Sequence, residues 1–185
     1  MSRKPLNIIL LGPPGAGKDT QAQKLIKKFD LFCIATGDFA RKLEDQGDQK
    51  VKELVAGGNF ISDELVEGYV FGEINKMPLE RGILLDGFPR NLTQGKDFEK
   101  FLEPHPRNFL KVFIKISDDI IIQRLLGRGR RDDKEEIIKT RIKNFKTLTE
   151  PVVSYYREKG DLIEVNGEAG PEEVWVAIKN ALEKA

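Results

Sequence analysis

The nine residues from Gly12 to Thr20, Gly-Pro-Pro-Gly-Ala-Gly-Lys-Asp-Thr, place three glycines, a lysine and a hydroxyl at a spacing suited to cradling a polyphosphate. Glycines at 12, 15 and 17 let the backbone curl until successive N–H groups face one point, where the start of a helix adds the positive end of its dipole. Lys18 supplies a mobile cation for the outer phosphates, and Thr20 a hydroxyl for a phosphate or for a water on magnesium. A glycine-rich turn alone often only ends a strand, so the flanks decide. Asn7 to Leu11 reads as a buried strand and Gln21 to Ile26 as helix, with Leu25, Ile26 and Phe29 toward the core. Nucleotide binding is the expectation.

Four further segments carry groups that could act on a phosphate. In Ile83-Leu84-Leu85-Asp86-Gly87-Phe88-Pro89-Arg90, a buried strand emerges at a carboxylate and then a tight turn with arginine. Ligands of open parallel sheets gather at such strand ends. Asp86 is placed to hold magnesium through water, and the planar fork of Arg90 to grip a second phosphate. Ala35 to Arg41 brings a hydroxyl at Thr36, a flexible Gly37 and an arginine on a helix. Arg124 and Arg128 stand four apart on one helix face, followed by Gly129-Arg130-Arg131-Asp132-Asp133 and later by Arg141. Pairing with nearby acids accounts for Arg131; phosphate is the better partner for the others, because a transferring phosphoryl group spreads negative charge over its oxygens. Glu164 to Ala169 follows the last strand beside the phosphate loop and offers backbone groups to a base.

These residues need a scaffold, and the chain alternates apolar runs with helical patterns. Strands are expected at 7–11, 32–35, 83–86, 109–116 and 162–165. Helices are expected at 38–46, 48–57, 63–75, 93–102, 118–127, 134–159 and 171–184. That order implies an α/β fold with a five-stranded parallel sheet wrapped by helices. In the long segment, Ile138, Ile142, Phe145, Leu148 and Val152 recur every three or four residues, and Pro151 should kink or divide it. Residues 36–65 are helical and lie between two sheet strands, as an inserted, movable lobe would.

Composition bounds the remaining choices. The 185 residues carry a net charge of +1, with 39% hydrophobic and 33% charged residues, which suits one globular domain and gives no reason to expect nucleic acid or an anionic membrane as partner. The single cysteine, Cys33, excludes an internal disulfide and a cysteine-based zinc site and reads as a buried strand thiol. No stretch reaches the length of a membrane span, and Met1 to Pro5 does not resemble a cleavable signal, so the cytoplasm is expected; no long apolar surface stripe suggests a dimer, so a monomer is expected. His105, the only histidine, lies between two prolines on a loop and is not expected to be catalytic; Trp175 belongs to a C-terminal amphipathic pattern and is expected in the core.

Together with Ser62-Asp63-Glu64-Leu65-Val66, Asp132-Asp133 and Thr149-Glu150-Pro151-Val152, these segments resemble, in order and spacing, the nucleoside monophosphate kinases, and among them the adenylate kinase family. The resemblance covers nearly the whole chain. It implies a three-layer phosphate-loop kinase fold over residues 1–185, with an acceptor lobe at 36–65 and a very short lid at 127–133. Donor ATP would lie on Gly15, Ala16, Gly17, Lys18, Asp19 and Thr20, with Arg124, Arg128 and Ala169 around its base and phosphates. The acceptor AMP would meet Thr36, Arg41, Asn59, Phe60, Ile61, Gly87, Phe88, Pro89, Arg90 and Gln94, with Arg130 and Arg141 clamping the phosphates from the lid side. Lys18, Asp86, Arg90, Arg128, Arg130 and Arg141 would carry the transfer, with Mg2+ held through water near Thr20, Asp86 and in one reading Asp19, and no zinc. By the same likeness, threonine at 36 and glutamine at 94 go with adenine acceptors, whereas the pyrimidine kinases use alanine and asparagine. The implied reaction is reversible: magnesium ATP plus AMP gives two ADP, with no covalent intermediate and no histidine base.

Two departures stand out. Asp19 occupies a position where the family has glycine. The helix dipole favours an acid there by roughly 0.3 to 1 kcal/mol, yet a phosphate charge about 5 Å away repels it by about 3 kcal/mol at an effective dielectric of 20. Asp19 therefore either orients a magnesium water or points aside, hydrogen-bonded and silent. Between Arg128 and Asp132 there is almost no chain, so closure should rely on the acceptor lobe and on arginines near the core. A UMP/CMP or broad-specificity kinase, a kinase for a small non-nucleotide acceptor, and a non-catalytic nucleotide-binding module remain as alternatives.

Overall fold

Strand β1 (Asn7–Leu11) is buried along its whole length and lies in the middle of a five-stranded parallel sheet. Around it run β2 (Phe32–Ala35), β3 (Ile83–Asp86), β4 (Leu110–Lys115) and β5 (Ile163–Asn166), in the order β2-β3-β1-β4-β5. The computed structural model describes residues 5–128 and 134–184, and the side chain of Arg128 lies outside that description. Strand side chains alternate between faces, and the alternation feeds two cores. Ile8, Leu10, Leu84, Val112 and Ile114 enter one; Ile9, Leu11, Ile83, Leu85 and Phe113 enter the other. A strand apolar on both faces reads as an unbroken run, which is why the first three strands fall where the sequence places them.

Helices α1 (Lys18–Phe29), α6 (Asp118–Arg128) and α9 (Pro171–Leu182) cover the first face through Leu25, Ile121, Leu125, Val174 and Ile178. The second is covered by α4 (Asp63–Lys76), α5 (Leu92–Leu102) and α8 (Glu150–Glu158) through Val66, Val70, Ile74, Phe98, Val152, Val153 and Tyr156. Between β2 and α4 lie two short helices, α2 (Thr36–Asp45) and α3 (Gln49–Ala56), and α7 (Glu135–Asn144) precedes the turn that leads to α8. Truncating a fully buried side chain such as Leu25 to alanine would cost about 2–5 kcal/mol. Trp175 packs against the first core as expected, whereas Cys33, expected buried, is only half-buried because β2 lies at the sheet's edge; its thiol is pushed up to about 12 by burial and then by the nearby Asp86 and Asp38 carboxylates. Among the described residues, no helix is long and apolar enough to cross a membrane.

Several expected boundaries shift. Strand β4 is one residue shorter at each end than 109–116, and β5 runs one residue later than 162–165. Helix α2 begins at Thr36, two residues before the expected start, so this hydroxyl belongs to a helix. The expected helix over 134–159 is continuous in outline but not uniform: Phe145–Thr149 form a π-helical turn between α7 and α8. Pro151 stands in the first turn of α8, directly after the π-helical turn, so the segment changes character where the proline was expected to act. The wide turn also resets the apolar stripe. Leu148, expected inward, is 42% exposed, and Thr149 is turned into the interior at 6%.

Candidate active site

The loop leaving β1 reaches α1 through backbone that only glycine adopts readily: φ is 77° at Gly15 and 85° at Gly17. Gly17 is the N-cap of α1 and has no side chain to satisfy the first-turn amides, which is the arrangement an anion exploits. Ala16 is buried beneath the loop. Lys18 folds back over it and donates from Nζ to the carbonyl oxygens of Gly12 (2.8 Å) and Pro13 (3.1 Å). Asp19 and Thr20 follow, exposed, in the first turn of α1.

Sheet register brings the second and third segments to this loop. Asp86, at the end of β3, is the register partner of Leu10 on one side and Ala35 on the other. The phosphate loop, the Asp86 turn and Thr36 thus leave three adjacent strands at the same sheet edge. Burial pushes the Asp86 carboxyl above the usual carboxylate range; Lys18 and then Arg90 pull it back, while Asp19 and Asp38 push it further up. One carboxylate lies in the fields of both the phosphate-loop lysine and the turn arginine.

That turn is built around Gly87, with φ of 79°, and a cis bond between Phe88 and Pro89. A Cβ on Gly87 would lie 2.6 Å from Thr36 Oγ1 and 2.9 Å from Arg90 Nη2. The glycine leaves room for two donors to converge on its own carbonyl oxygen: Arg90 Nε at 2.8 Å and Thr36 Oγ1 at 2.9 Å. The Arg90 guanidinium also lies 4.6 Å from the centre of the Phe60 ring. Burial lowers its pKa, Asp86 restores part of the loss, and Arg141 lowers it again. Two guanidiniums close enough to repel, with one carboxylate between charges of both loops, favour an anion. Phe88 and Pro89 are buried, the Phe88 ring edge-on to Phe71 and Phe98, so the core holds their side chains and only their backbone is left for a ligand.

Gln94, in the first turn of α5, is 2% exposed and held at both ends of its carboxamide. Oε1 accepts from the Arg90 backbone N–H at 2.7 Å, and Nε2 donates to Asp63 Oδ1 at 2.8 Å. Asn91 caps α5, its Oδ1 accepting from the Gln94 N–H at 2.8 Å, while its Nδ2 donates to both Asp63 oxygens at 2.9 Å. Ile61 is buried in the second core, and exposed Asn59 accepts from Asn144 Nδ2 at 3.2 Å. Arg141 on α7 lies beside Gly58, where an added Cβ would come within 3.2 Å of its Cγ. Arg41 is exposed and paired with Asp38 on its own helix, a surface contact that is cheap to exchange for a phosphate. Across the sheet, Arg124 donates to the carbonyl oxygens of Glu168 (3.1 Å) and Ala169 (3.3 Å), joining α6 to the loop after β5. Arg130, the proposed lid contacts and the Arg128 side chain lie outside the described residues.

Asp63, Asn91 and Thr149 were given no role from sequence. Asn91 carried a signal, an asparagine three residues before the amide that it caps. Asp63 and Thr149 sit within segments that stood out, but their partners are 31 and 59 residues away in the chain. The His105 ring lies 5.5 Å from that of Phe101, tilted to it by 34°.

The donors around the phosphate loop, Thr20, Asp86 and Asp19, are all oxygens, the set that suits Mg2+. Among the described residues no group of three or more His, Cys, Asp or Glu is arranged to hold a metal.

A phosphate loop on the central strand of a parallel sheet, facing an arginine-lined turn at the same sheet edge, defines a phosphate-loop kinase. The family model for adenylate kinase matches residues 10–161. Curated adenylate kinases agree: that of Prochlorococcus marinus strain NATL1A is 38% identical over 179 residues, covering 95% of this chain and 97% of that protein. "Adenylate kinase 1" of Nostoc sp. PCC 7120 is 36% identical over the same span and shares. The adenylate kinase of Archaeoglobus fulgidus is 32% identical over a 214-residue alignment covering 97% of this chain and 99% of that protein. That alignment is longer than the 185 residues here, so the archaeal protein carries stretches without counterpart in this chain. The chain belongs to the adenylate kinase family, and its activity is that of a nucleotide monophosphate kinase.

Proposed function

We propose that the enzyme moves the terminal phosphoryl group of magnesium ATP onto AMP, giving two ADP, and runs the reaction in both directions. The observation that carries this reading is the sheet register that sets Asp86 between Leu10, which leads into the phosphate loop and Lys18, and Ala35, with the Arg90 turn leaving the same sheet edge. It implies two phosphate subsites facing one another across a single carboxylate. The phosphate loop and Lys18 hold the donor phosphates, with Arg124 and Ala169 near its base. Arg90, supported by Arg141 and Arg41, holds the acceptor phosphate, and residues 36–65 form the lobe that closes over it. Arg128 and Arg130 complete the cage from the short lid.

In this geometry no side chain need remove a proton, because the attacking AMP phosphate is ionised near neutral pH. A phosphate oxygen of AMP attacks the γ-phosphorus, the bond to the bridging oxygen breaks, and ADP leaves from the phosphate loop. Lys18, Arg90 and Arg141 stabilise charge that shifts between oxygens, and fixed donors do this without reorganising. Mg2+, held through water near Thr20 and Asp86, would neutralise the donor phosphates and orient them. Adenine as the acceptor base fits Thr36 and Gln94, whose carboxamide offers both a donor and an acceptor.

A coupled assay with ATP as donor and AMP, UMP, CMP or GMP as acceptor tests the assignment. AMP should exceed the others in kcat/KM by about a hundredfold or more. Equal or faster transfer to UMP or CMP would overturn it.

A further inference from the structure

Gln94 has a carboxamide whose two ends differ by one atom, and a carboxamide that is free to flip can present acceptor and donor in either order. Here both ends are pinned by groups that cannot change sign. A carboxylate only accepts, so Nε2 must face Asp63, and a backbone N–H only donates, so Oε1 must face Arg90. Asp63 is itself fixed, because Asn91 donates to both of its oxygens while the Asn91 carbonyl caps α5. The Asn91 amide is thereby pinned in the same way. The four groups form one chain of hydrogen bonds from α4 to α5 and back to the Arg90 turn.

From this arrangement we infer that Asp63 is a specificity-determining residue: by locking the flip of Gln94, it makes the acceptor site accept a 6-aminopurine and reject a 6-oxopurine. The inference rests on the proposal that the Arg90 side of the site takes AMP. Each end of the Gln94 carboxamide keeps one unused capacity, a second hydrogen on Nε2 and a second lone pair on Oε1. Adenine presents a donor at its 6-position beside an acceptor at N1, whereas guanine and hypoxanthine present an acceptor beside a donor. A flippable glutamine satisfies both patterns; a locked one satisfies only one. With Gln94 2% exposed, water does not repair the mismatched pair, so the wrong base leaves two polar groups unpaired.

The Asp63 pin is the charge-assisted one and the stronger of the two. Asp63→Asn keeps the shape but lets position 63 donate as well as accept, and Asp63→Leu removes the pin altogether. Steady-state kcat/KM is measured for AMP, GMP and IMP in the wild type and both variants, with KM for ATP as internal control. Because the AMP-to-GMP ratio is taken within one preparation, it does not depend on how much of a variant folds. The ratio should fall by about tenfold or more in both variants, through gain on the 6-oxopurines as well as loss on AMP, with KM for ATP unchanged. A residue that merely supported α4 would lower all three activities together and leave the ratio alone. A wild type that prefers AMP, with variants that keep the preference within about twofold, overturns the lock. A wild type that takes GMP as readily as AMP overturns the acceptor assignment and the lock with it.

Discussion

Thr149 Oγ1 donates a 2.8 Å hydrogen bond to the carbonyl oxygen of Arg90, joining the π-helical turn before α8 to the turn that carries the acceptor arginine. Thr149 is buried, so water does not replace the bond when it is lost. Thr149→Val keeps the shape and removes the donor. It should lower kcat/KM for AMP by about tenfold, close to the 1–3 kcal/mol cost of an unpaired buried carbonyl, and leave KM for ATP unchanged. Steady-state kinetics with each substrate varied in turn checks the split.

Gly87 is irreplaceable for two independent reasons, its positive φ and the closeness of Thr36 and Arg90 to any added Cβ. Gly87→Ala should destabilise the fold by about 1–3 kcal/mol and displace the guanidinium that Gly87 holds. Denaturant unfolding and AMP binding by calorimetry should both record losses. Gly68, with open space around it in α4, should accept alanine with neither.

The raised pKa of Asp86 has a direction that can be tested. A carboxyl whose folded pKa lies above its unfolded value contributes stability at pH below the unfolded value and loses it as pH rises through the folded one. At neutral pH the ionised Asp86 therefore costs stability. Asp86→Asn should raise Tm at pH 7 relative to wild type, and the gain should shrink as pH falls below the carboxylate range. Turnover should drop in the same variant, because the group that strains the fold is the one facing both phosphate subsites. Thermal melts from pH 4 to pH 8 read the first effect.

Asp19 pushes the Asp86 carboxyl further up, so two acids share the space beside the phosphate loop. A dication placed between acids and phosphates turns that repulsion into attraction. Asp19→Gly should raise the magnesium concentration for half-maximal activity by about three- to tenfold, with little change in Tm. An unaltered magnesium dependence would leave Asp19 the silent role.

Much of this was open to view in the sequence, and for a physical reason. Residues 7–11 and 83–85 are strand positions buried on both faces, and 32–35 is an apolar strand at the sheet's edge; such short uninterrupted apolar runs need no tertiary information. The phosphate loop announces itself because its glycines and lysine act through local backbone geometry. What escaped depends on contacts across the fold. The π-helical turn at 145–149 leaves no periodic trace, and it exchanges Leu148 for Thr149 at the interior. Asp63 meets Gln94 only once α4 and α5 pack side by side, and nothing in Ser62-Asp63-Glu64 tells a pinning carboxylate from a favourable charge at a helix N-terminus. Nothing in Pro106-Arg107-Asn108 marks a buried residue, yet Arg107 is 5% exposed and donates to the carbonyl oxygens of Met77, Pro78 and Arg81 and to Asn7 Oδ1.

The central claim is that two nucleotides occupy the chain at once, on either side of Asp86. Calorimetric titration of AMP into the enzyme saturated with a non-hydrolysable ATP analogue and Mg2+ tests it most directly. The account predicts about one AMP bound per chain with the analogue retained, and loss of AMP binding but not analogue binding in Arg90→Ala. Competition between AMP and the analogue for a single shared site would contradict it.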